Sequence, residues 1–246
     1  MFRTRLALLA ALTVGLAASQ ASAADLPRKA PAYVPPPPPP YVWTGCYLGA
    51  NVGAAWAHVD VDNVTTGGSI SRTSNTGFAG GGQIGCDYQM GAWVVGVRNM
   101  FDGTSITGSR TFTDPRTLGA GTATVDTKVN WFDTLTARGG YLVQPNLLFY
   151  VQGGAAWARA QATAFNSAGG AVGSASGNSN TGWTVGGGAE WMFVPHWSVF
   201  LEYNYMGFGT RSNAFQVCGG INPTVCDTFS AKANISDVLV GVNYRF

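Results

Sequence analysis

The sequence predicts an all-β fold, a closed up-and-down barrel of eight antiparallel strands that crosses a membrane. Apolar residues recur at alternate positions in segments of membrane-spanning length, and the connections between these segments are alternately long and short. Only 11% of the 246 residues are charged, whereas a soluble domain usually carries about 25%. After residue 23 no apolar run is long enough for a membrane-spanning helix. The low charge therefore favours a barrel, whose outer wall is apolar only at every second position.

The first 23 residues predict a secretory signal peptide. Arg3 and Arg5 precede an uncharged apolar segment, 6–18, and the small residues of 21–23 follow it. That segment is shorter than the roughly 20 residues that a membrane-spanning helix needs, so we expect cleavage after Ala23. Cleavage would lower Lys+Arg from 14 to 12, equal to the 12 Asp+Glu. No basic run interleaved with aromatic residues remains, which excludes a nucleic-acid partner.

Residues 24–42 predict a Pro-rich periplasmic linker. Eight of the twelve prolines lie between Pro27 and Pro40, and six of them are consecutive. Such a stretch lacks backbone donors for helix or sheet and adopts an extended polyproline II conformation. A spacer that holds the barrel away from another layer, a Pro-rich docking strip and a solvated tail all fit this composition, and we favour the tail. The barrel itself is expected to cover 43–246.

Eight segments show the alternation of membrane strands. In the first, apolar residues at even positions from Cys46 to Trp56 alternate with mostly small or polar residues at odd positions. The second segment, 78–88, and the third, 93–101, repeat the pattern. Five more follow it: 127–142, 147–159, 182–193, 197–208 and 231–246. Eight is an even number, as in bacterial outer-membrane barrels.

The connections support the same topology. Long stretches rich in Gly, Ser, Thr and Asn follow Trp56, Asp102, Arg159 and Gly209, whereas the intervening connections at 89–92, 143–146 and 194–196 are tight turns. Long loops at one end and short turns at the other are typical of outer-membrane barrels. Many aromatic residues fall near the strand ends, where interfacial girdles form; the predicted girdle residues are Trp43, Tyr47, Trp56, Trp93, Trp131, Tyr141, Trp157, Trp183, Trp191 and Trp197.

The inward-facing positions carry charges. Arg98, Arg138, Glu190 and Glu202 are predicted to face the lumen. A second set is expected nearer its ends: Asp87, Asp102, Lys128, Asp237 and Arg245. An eight-stranded interior is only wide enough for side chains, and an unpaired buried ion costs several kcal/mol. We therefore expect a Glu/Arg network that fills the barrel, with a narrow ion path through it as the alternative.

Several segments resemble a known family. They are WTGCYLGANVG at 43–53, Trp131-Phe132 with Arg138 and Tyr141, GWTVGGGAE at 182–190, the stretch from Trp197 to Tyr203, and NYRF at 243–246. Together they resemble the alphaproteobacterial outer-membrane immunogenic, or porin-family, small barrels of the OmpA-like superfamily. The resemblance implies antigenic surface loops and folding by the barrel-assembly machinery. The implied assembly signal is the last strand: Val240, Val242, Tyr244 and Phe246.

The sequence has four cysteines, in a compartment that permits disulfides. Cys218 and Cys226 share the last long connection and are our first candidate pair. Cys46 and Cys86 lie on the outward face near the same end of neighbouring strands and are the second. Four free thiols remain the alternative at this point.

No motif surrounds His58 or His196, so the sequence predicts neither an enzyme nor a metal or cofactor site. It predicts a structural and surface-interaction barrel in the bacterial outer membrane, surrounded by lipid and lipopolysaccharide, with both termini in the periplasm. The extracellular partner is left open. The alternative is a narrow porin, or a loop-based binder or transporter of a small ligand such as haem.

Overall fold

The computed structural model describes residues 40–64, 68–113, 122–166, 171–176, 180–218 and 226–246. The predicted signal peptide and residues 24–39 of the predicted linker lie outside these ranges. The described strands are β1 Gly45–Asn63, β2 Gly68–Met90, β3 Trp93–Thr104, β4 Thr107–Thr113, β5 Thr122–Gln144, β6 Leu147–Asn166, β7 Ala171–Ser176, β8 Asn180–Val194, β9 Trp197–Cys218 and β10 Cys226–Arg245. In the described part of the chain, no helix has the length and hydropathy needed to cross a bilayer.

Eight of the strands close into a ring in the order β1, β2, β3, β5, β6, β8, β9 and β10, and β10 returns to pair with β1. All pairings are antiparallel. The short strands β4 and β7 pair with β5 and β6 beyond the positions where β3 and β8 pair with them. The prediction of a closed eight-stranded up-and-down barrel is confirmed.

Three two-residue turns define one end of the barrel, which we call the turn end. They are Gly91–Ala92, Pro145–Asn146 and Pro195–His196. Gly91 (φ 63°) and His196 (φ 73°) adopt the left-handed conformation that such tight turns require. The backbone oxygen of His196 accepts a hydrogen bond from Arg245 N at 2.7 Å, which stabilises this turn. The start of β1 and the end of β10 lie at this same end. The opposite end is the loop end.

The strands are longer than the sequence predicted, and the extra length lies at the loop end. The first predicted strand ends at Trp56, whereas β1 continues to Asn63 and pairs there with both β2 and β10. Similarly, β9 continues to Cys218 and β10 begins at Cys226. The prediction ended each strand at the thickness of a bilayer, but hydrogen bonding between neighbouring strands does not require lipid around it. Much of the sequence assigned to long loops is therefore β-hairpin.

The outer wall follows the predicted alternation. On β10, Val238, Val240 and Val242 are exposed, whereas Leu239 between them is fully buried. Aromatic side chains cluster on the outer wall near both ends, as in Trp93 against Tyr141 with ring centroids 5.2 Å apart at the turn end. Outward apolar side chains and two aromatic bands are what a lipid bilayer requires of such a wall.

Two residues assigned to the girdle lie inside the barrel instead. Trp43 and Tyr47 are both fully buried. Trp43 precedes β1 and folds into the turn end, where its Nε1 donates to Pro145 O at 3.0 Å. Tyr47 occupies an inward-facing position of β1. Their assignment to the girdle is wrong because the alternation of β1 and the need of an indole for an acceptor outweigh the preference of aromatic residues for the interface.

A bulge also reverses the orientation of one residue that was predicted to face the lumen. The pairing of β5 with β6 shifts between Val129 and Trp131. Because the extra residue reverses the alternation, Val129 faces inward and Lys128 is exposed in the strand extension. The prediction that Lys128 faces the lumen is wrong for this reason.

Inward-facing glycines make room for the large side chains of the lumen. A Cβ added to Gly85 would collide with the ring of Tyr47, and one added to Gly188 would lie 2.8 Å from Glu202 Cβ. At these positions a side chain from the neighbouring strand lies directly over the glycine. A narrow barrel can therefore hold arginines and tyrosines only because other inward positions carry no side chain.

Candidate functional site

Two of the four residues predicted for the lumen network form a bidentate ion pair. Arg98 on β3 and Glu202 on β9 reach towards each other from strands that are not neighbours in the ring. Arg98 Nη1 donates to Glu202 Oε2 at 2.8 Å, and Nη2 donates to Oε1 at 2.9 Å. Both side chains are fully buried. The two parallel charge-assisted hydrogen bonds link separate parts of the wall.

The other two, Arg138 and Glu190, belong to a second group. Arg138 Nε donates to Asp87 Oδ1 at 2.8 Å and Nη1 donates to Glu190 Oε2 at 3.0 Å, while Nη2 also contacts Asp87 Oδ2. Arg245 Nη2 donates to that same Asp87 oxygen at 2.7 Å. The structure thus brings Asp87 and Arg245, expected nearer the lumen ends, into a buried group of two arginines and two carboxylates.

Uncharged side chains also donate hydrogen bonds to these carboxylates. Tyr150 Oη donates to Glu202 Oε2 at 2.7 Å, and Asn204 Nδ2 donates to Oε1 at 2.9 Å. Ser198 Oγ donates to Glu190 Oε1 at 2.6 Å. The sequence reasoning did not assign these partners, although each occupies a position whose alternation points inward. These additional hydrogen bonds to the carboxylates offset part of the cost of burying charge.

Aromatic rings cover the guanidinium groups at the turn end. Arg138 Cζ lies 4.9 Å from the ring centroid of Tyr47 and 5.1 Å from that of Tyr150. Arg245 Cζ lies 4.9 Å from the Tyr47 ring and 5.4 Å from that of Trp43. Cation–π contacts stabilise each guanidinium and fill the space around it.

Apolar clusters lie on both sides of the network. The turn-end cluster contains Trp43, Val94, Leu148, Tyr150 and Met192. The loop-end cluster contains Ala55, Ala57, Ala79, Met100, Ile106, Val129, Phe132, Ala156, Ala158, Met206, Phe208, Ile235 and Leu239. The charged middle of the lumen is therefore enclosed between two layers of packed hydrophobic side chains.

Two further buried carboxyl groups have no arginine partner. Neither oxygen of Asp102 on β3 has a hydrogen-bond donor, and Asp237 on β10 has one only for Oδ1, from Asn204 Nδ2 at 3.0 Å. The sequence placed both near the lumen ends, but both are fully buried within it. Their burial without a countercharge distinguishes Asp102 and Asp237 from Asp87, Glu190 and Glu202, which are paired with arginines.

The cysteine candidates lie at opposite ends of the barrel. Cys46 and Cys86 face each other across β1 and β2 and form a disulfide, with Cα atoms 3.9 Å apart. The prediction of this pair is confirmed. Cys218 and Cys226 are register partners on β9 and β10, but their side chains lie outside the described part of the structure. Their pairing stays a prediction.

The candidate assembly signal lies on the outer wall of the last strand. Val240, Val242, Tyr244 and Phe246 are all exposed to the surroundings of the barrel. Phe246 N donates to Cys46 O at 3.0 Å, next to the first strand. The aromatic terminus is thus at the seam where the barrel closes, and its role in assembly stays a prediction.

Within the described ranges, no three His, Cys, Asp or Glu side chains are placed to hold a metal ion together. His58 is exposed on β1. His196 lies in a tight turn at the turn end, where Nδ1 is 2.8 Å from Arg245 O. The histidines are at opposite ends of the barrel, and the absence of catalysis stays a prediction.

Comparison with protein families gives one match over nearly the whole chain. A model described as the outer membrane protein beta-barrel domain matches residues 7–246. The 31 kDa outer-membrane immunogenic protein of Brucella melitensis is 34% identical over 221 residues, which cover 84% of this chain and 85% of that protein. An uncharacterized protein of Coxiella burnetii is 28% identical over 220 residues, 81% of this chain and 83% of that protein.

Solved structures share the architecture at low identity. The outer membrane protease OmpT from Escherichia coli is 7% identical, with a TM-score of 0.52 over 84% of this chain and 98% of that one. The attachment invasion locus protein Ail of Yersinia pestis is 15% identical, with a TM-score of 0.41 over 82% of this chain and 99% of that one. At such identity the likeness to OmpT concerns the fold alone.

Proposed function

Because the chain belongs to the outer membrane protein β-barrel family, we propose that it is a structural and surface-interaction barrel with extracellular long loops and a lumen filled by side chains. The protein is an outer-membrane barrel that sits among lipids and lipopolysaccharide. The proposal also assigns roles to the lumen, the long connections and the termini of the barrel.

The filled lumen is the observation that carries the proposal. Arg98, Arg138, Glu190 and Glu202 are each bonded to other side chains of the lumen and are almost completely buried. A narrow porin requires a continuous polar path, and here the charged middle lies between two apolar clusters. With the interior occupied, the strand extensions and the long connections remain as the surface that can meet a partner. These observations support surface interaction over transport through the barrel.

The proposal includes an orientation. The long connections face the cell exterior, and the short turns and both termini face the periplasm, as in other barrels with this alternation of connections. The signal peptide is removed after Ala23, and residues 24–42 form a Pro-rich tail in the periplasm. Residues Val240, Val242, Tyr244 and Phe246 present the assembly signal to the barrel-assembly machinery.

The relatives add a role for the exposed surface. The Brucella melitensis protein is described as immunogenic, which fits a protein whose loops reach the cell surface. We propose the same antigenic exposure for this chain. Its interactions are non-covalent, and no described cluster of side chains favours a catalytic function.

An epitope tag inserted after Val64, at the loop end, should bind antibody on intact cells. The same tag inserted between residues 30 and 31 of the linker should bind only after the outer membrane is permeabilised. Flow cytometry on both kinds of cells measures the difference. If antibody bound the linker tag on intact cells and did not bind the loop tag, the orientation would be the opposite of the one proposed and the proposal would be wrong.

A further inference from the structure

Two positively charged side chains lie next to each other on the outer wall at the loop end. Lys128 on β5 and Arg159 on β6 are both exposed. The register pairs Lys128 with Gln161 and Arg159 with Trp131, so the two cations are diagonal neighbours on one face of the sheet. Such neighbours lie roughly 7–8 Å apart, within reach of long side chains. A single anionic group can therefore contact both of them.

The bulge of β5 brings Lys128 to this face. Without the register shift between Val129 and Trp131, the alternation of β5 would direct Lys128 into the lumen. The backbone next to the bulge is fixed by neighbouring residues. Val129 N donates to Ile106 O at 3.0 Å, and Thr104 Oγ1 donates to Val129 O at 2.6 Å. Bulges of this kind redirect side chains at barrel rims and functional sites.

Both cations lie directly beyond the aromatic band of the loop end. Along β6, Arg159 is the next outward-facing residue after Trp157, and along β5, Lys128 follows Trp131 across the bulge. The ring of Trp131 packs against that of Phe101, with centroids 5.6 Å apart. Tryptophans of such a band mark the boundary between acyl chains and polar headgroups. The two positive charges are therefore at the level of the headgroups.

Neither cation forms an ion pair within the part of the chain that the structure describes. Two carboxylates share the outer face of β5 with Lys128. Asp133 Oδ1 accepts a hydrogen bond from Asn99 Nδ2 at 2.8 Å, and Asp126 is exposed two residues further towards the loops. Since Lys128 and Arg159 repel each other at this separation, an anion bound between them would stabilise both.

Uncharged donors flank the pair. Thr107 on β4 and Gln161 on β6 are the register partners of Lys128 on its two sides, and both are exposed. A guanidinium binds phosphate oxygens through its planar fork, and an ammonium binds them as a point charge. The combination of donors suits a phosphate group. In the outer leaflet of the outer membrane, lipid A carries its phosphate groups directly above the acyl chains.

We propose that Lys128 and Arg159, with Thr107 and Gln161 beside them, bind a phosphate group of lipid A, the membrane anchor of lipopolysaccharide. The inference rests on the proposed function, because the proposed orientation places the loop end in the outer leaflet. The acyl chains of the bound lipid lie against the apolar wall of the barrel. The site fixes one lipopolysaccharide molecule at one position on the circumference, over β5 and β6.

The test titrates the refolded full mature chain with lipid A in a nonionic detergent and counts the bound lipid by native mass spectrometry. EDTA is present, so that no divalent ion bridges a phosphate to a carboxylate. Lipid A should bind about 25-fold more tightly than the same lipid without its phosphate groups, from about fivefold for each basic side chain near an anionic headgroup. Equal binding of the two forms would overturn the proposal.

The variants Lys128→Gln and Arg159→Gln should each weaken the binding of lipid A about fivefold and leave the binding of the dephosphorylated lipid unchanged. Lys232→Gln is the matched control, because it removes an exposed lysine of the loop end whose register partner on β1 is Asp60. This control should bind lipid A as the wild type does. If all three variants weaken binding equally, the lipid responds to the general surface charge and the proposed site is wrong.

Phosphatidylglycerol separates lipopolysaccharide from other lipids that carry a phosphate group. It should bind more weakly than lipid A, and binding of equal strength with the same loss in both variants would overturn the assignment to lipid A. The titration does not depend on how the barrel is oriented in a cell. Its failure beside a surface-exposed loop tag would refute this site and leave the proposed function intact, whereas a hidden loop tag would refute the orientation and, with it, the assignment to lipid A.

Discussion

Replacing Arg98 by methionine should destabilise the barrel by about 3–5 kcal/mol, the usual cost of removing one partner of a buried ion pair. Methionine keeps much of the length of the side chain but none of its charge. Glu202 would remain buried, with only Tyr150 and Asn204 as donors. Urea unfolding of the refolded chain, followed by tryptophan fluorescence in both directions, measures the change.

Two variants control this experiment. Arg159→Met removes an exposed arginine of β6 and should change the stability by less than about 0.5 kcal/mol. The double variant Arg98→Met, Glu202→Gln should recover part of the loss, because no unpaired ion is left at that position. An Arg98→Met protein as stable as the wild type would mean that Glu202 is not a buried, ionised partner.

Loss of the Cys46–Cys86 disulfide should destabilise the barrel by an amount comparable to the loss of Arg98. The bond joins residues 40 positions apart, and the chain-entropy model gives about 4 kcal/mol for a closed loop of that size. The double variant Cys46→Ala, Cys86→Ala should therefore unfold at a clearly lower urea concentration than the wild type. The substitution is preferable to a reducing agent, which would also act on any bond between Cys218 and Cys226.

The other two cysteines provide the matched comparison. Cys218→Ala, Cys226→Ala should shift the midpoint less, because a disulfide between those positions would close a much shorter loop. Intact mass after alkylation, with and without reduction, shows which bonds are present in each protein. If the wild type alkylates at Cys46 and Cys86 without reduction, the assigned bond does not form.

The alternation of apolar with small or polar residues along the sequence was sufficient to predict the ring of eight strands. It also identified which residues enter the lumen, since Arg98, Arg138, Glu190 and Glu202 all face inward. Alternation depends only on local backbone geometry, in which successive side chains point to opposite faces. That information is present in every short segment of the chain.

The partners within the lumen could not be predicted in the same way. Arg98 meets Glu202 from a strand that is not its neighbour, so the pairing depends on the stagger of the whole ring and not on any spacing along the chain. The bulge after Val129 reversed the alternation and moved Lys128 to the outside. Trp43 and Tyr47 were misassigned because a general preference for the interface was given more weight than the buried acceptors and cations that their rings contact.

The central claim is that the lumen is closed by its own side chains, and conductance across a planar lipid bilayer tests it most directly. The refolded wild-type chain should insert without producing stepwise current, because two apolar clusters and a neutralised ion network occupy the interior. Uniform, reproducible current steps from the purified wild type would contradict the account, since ions would then have a continuous path through the barrel.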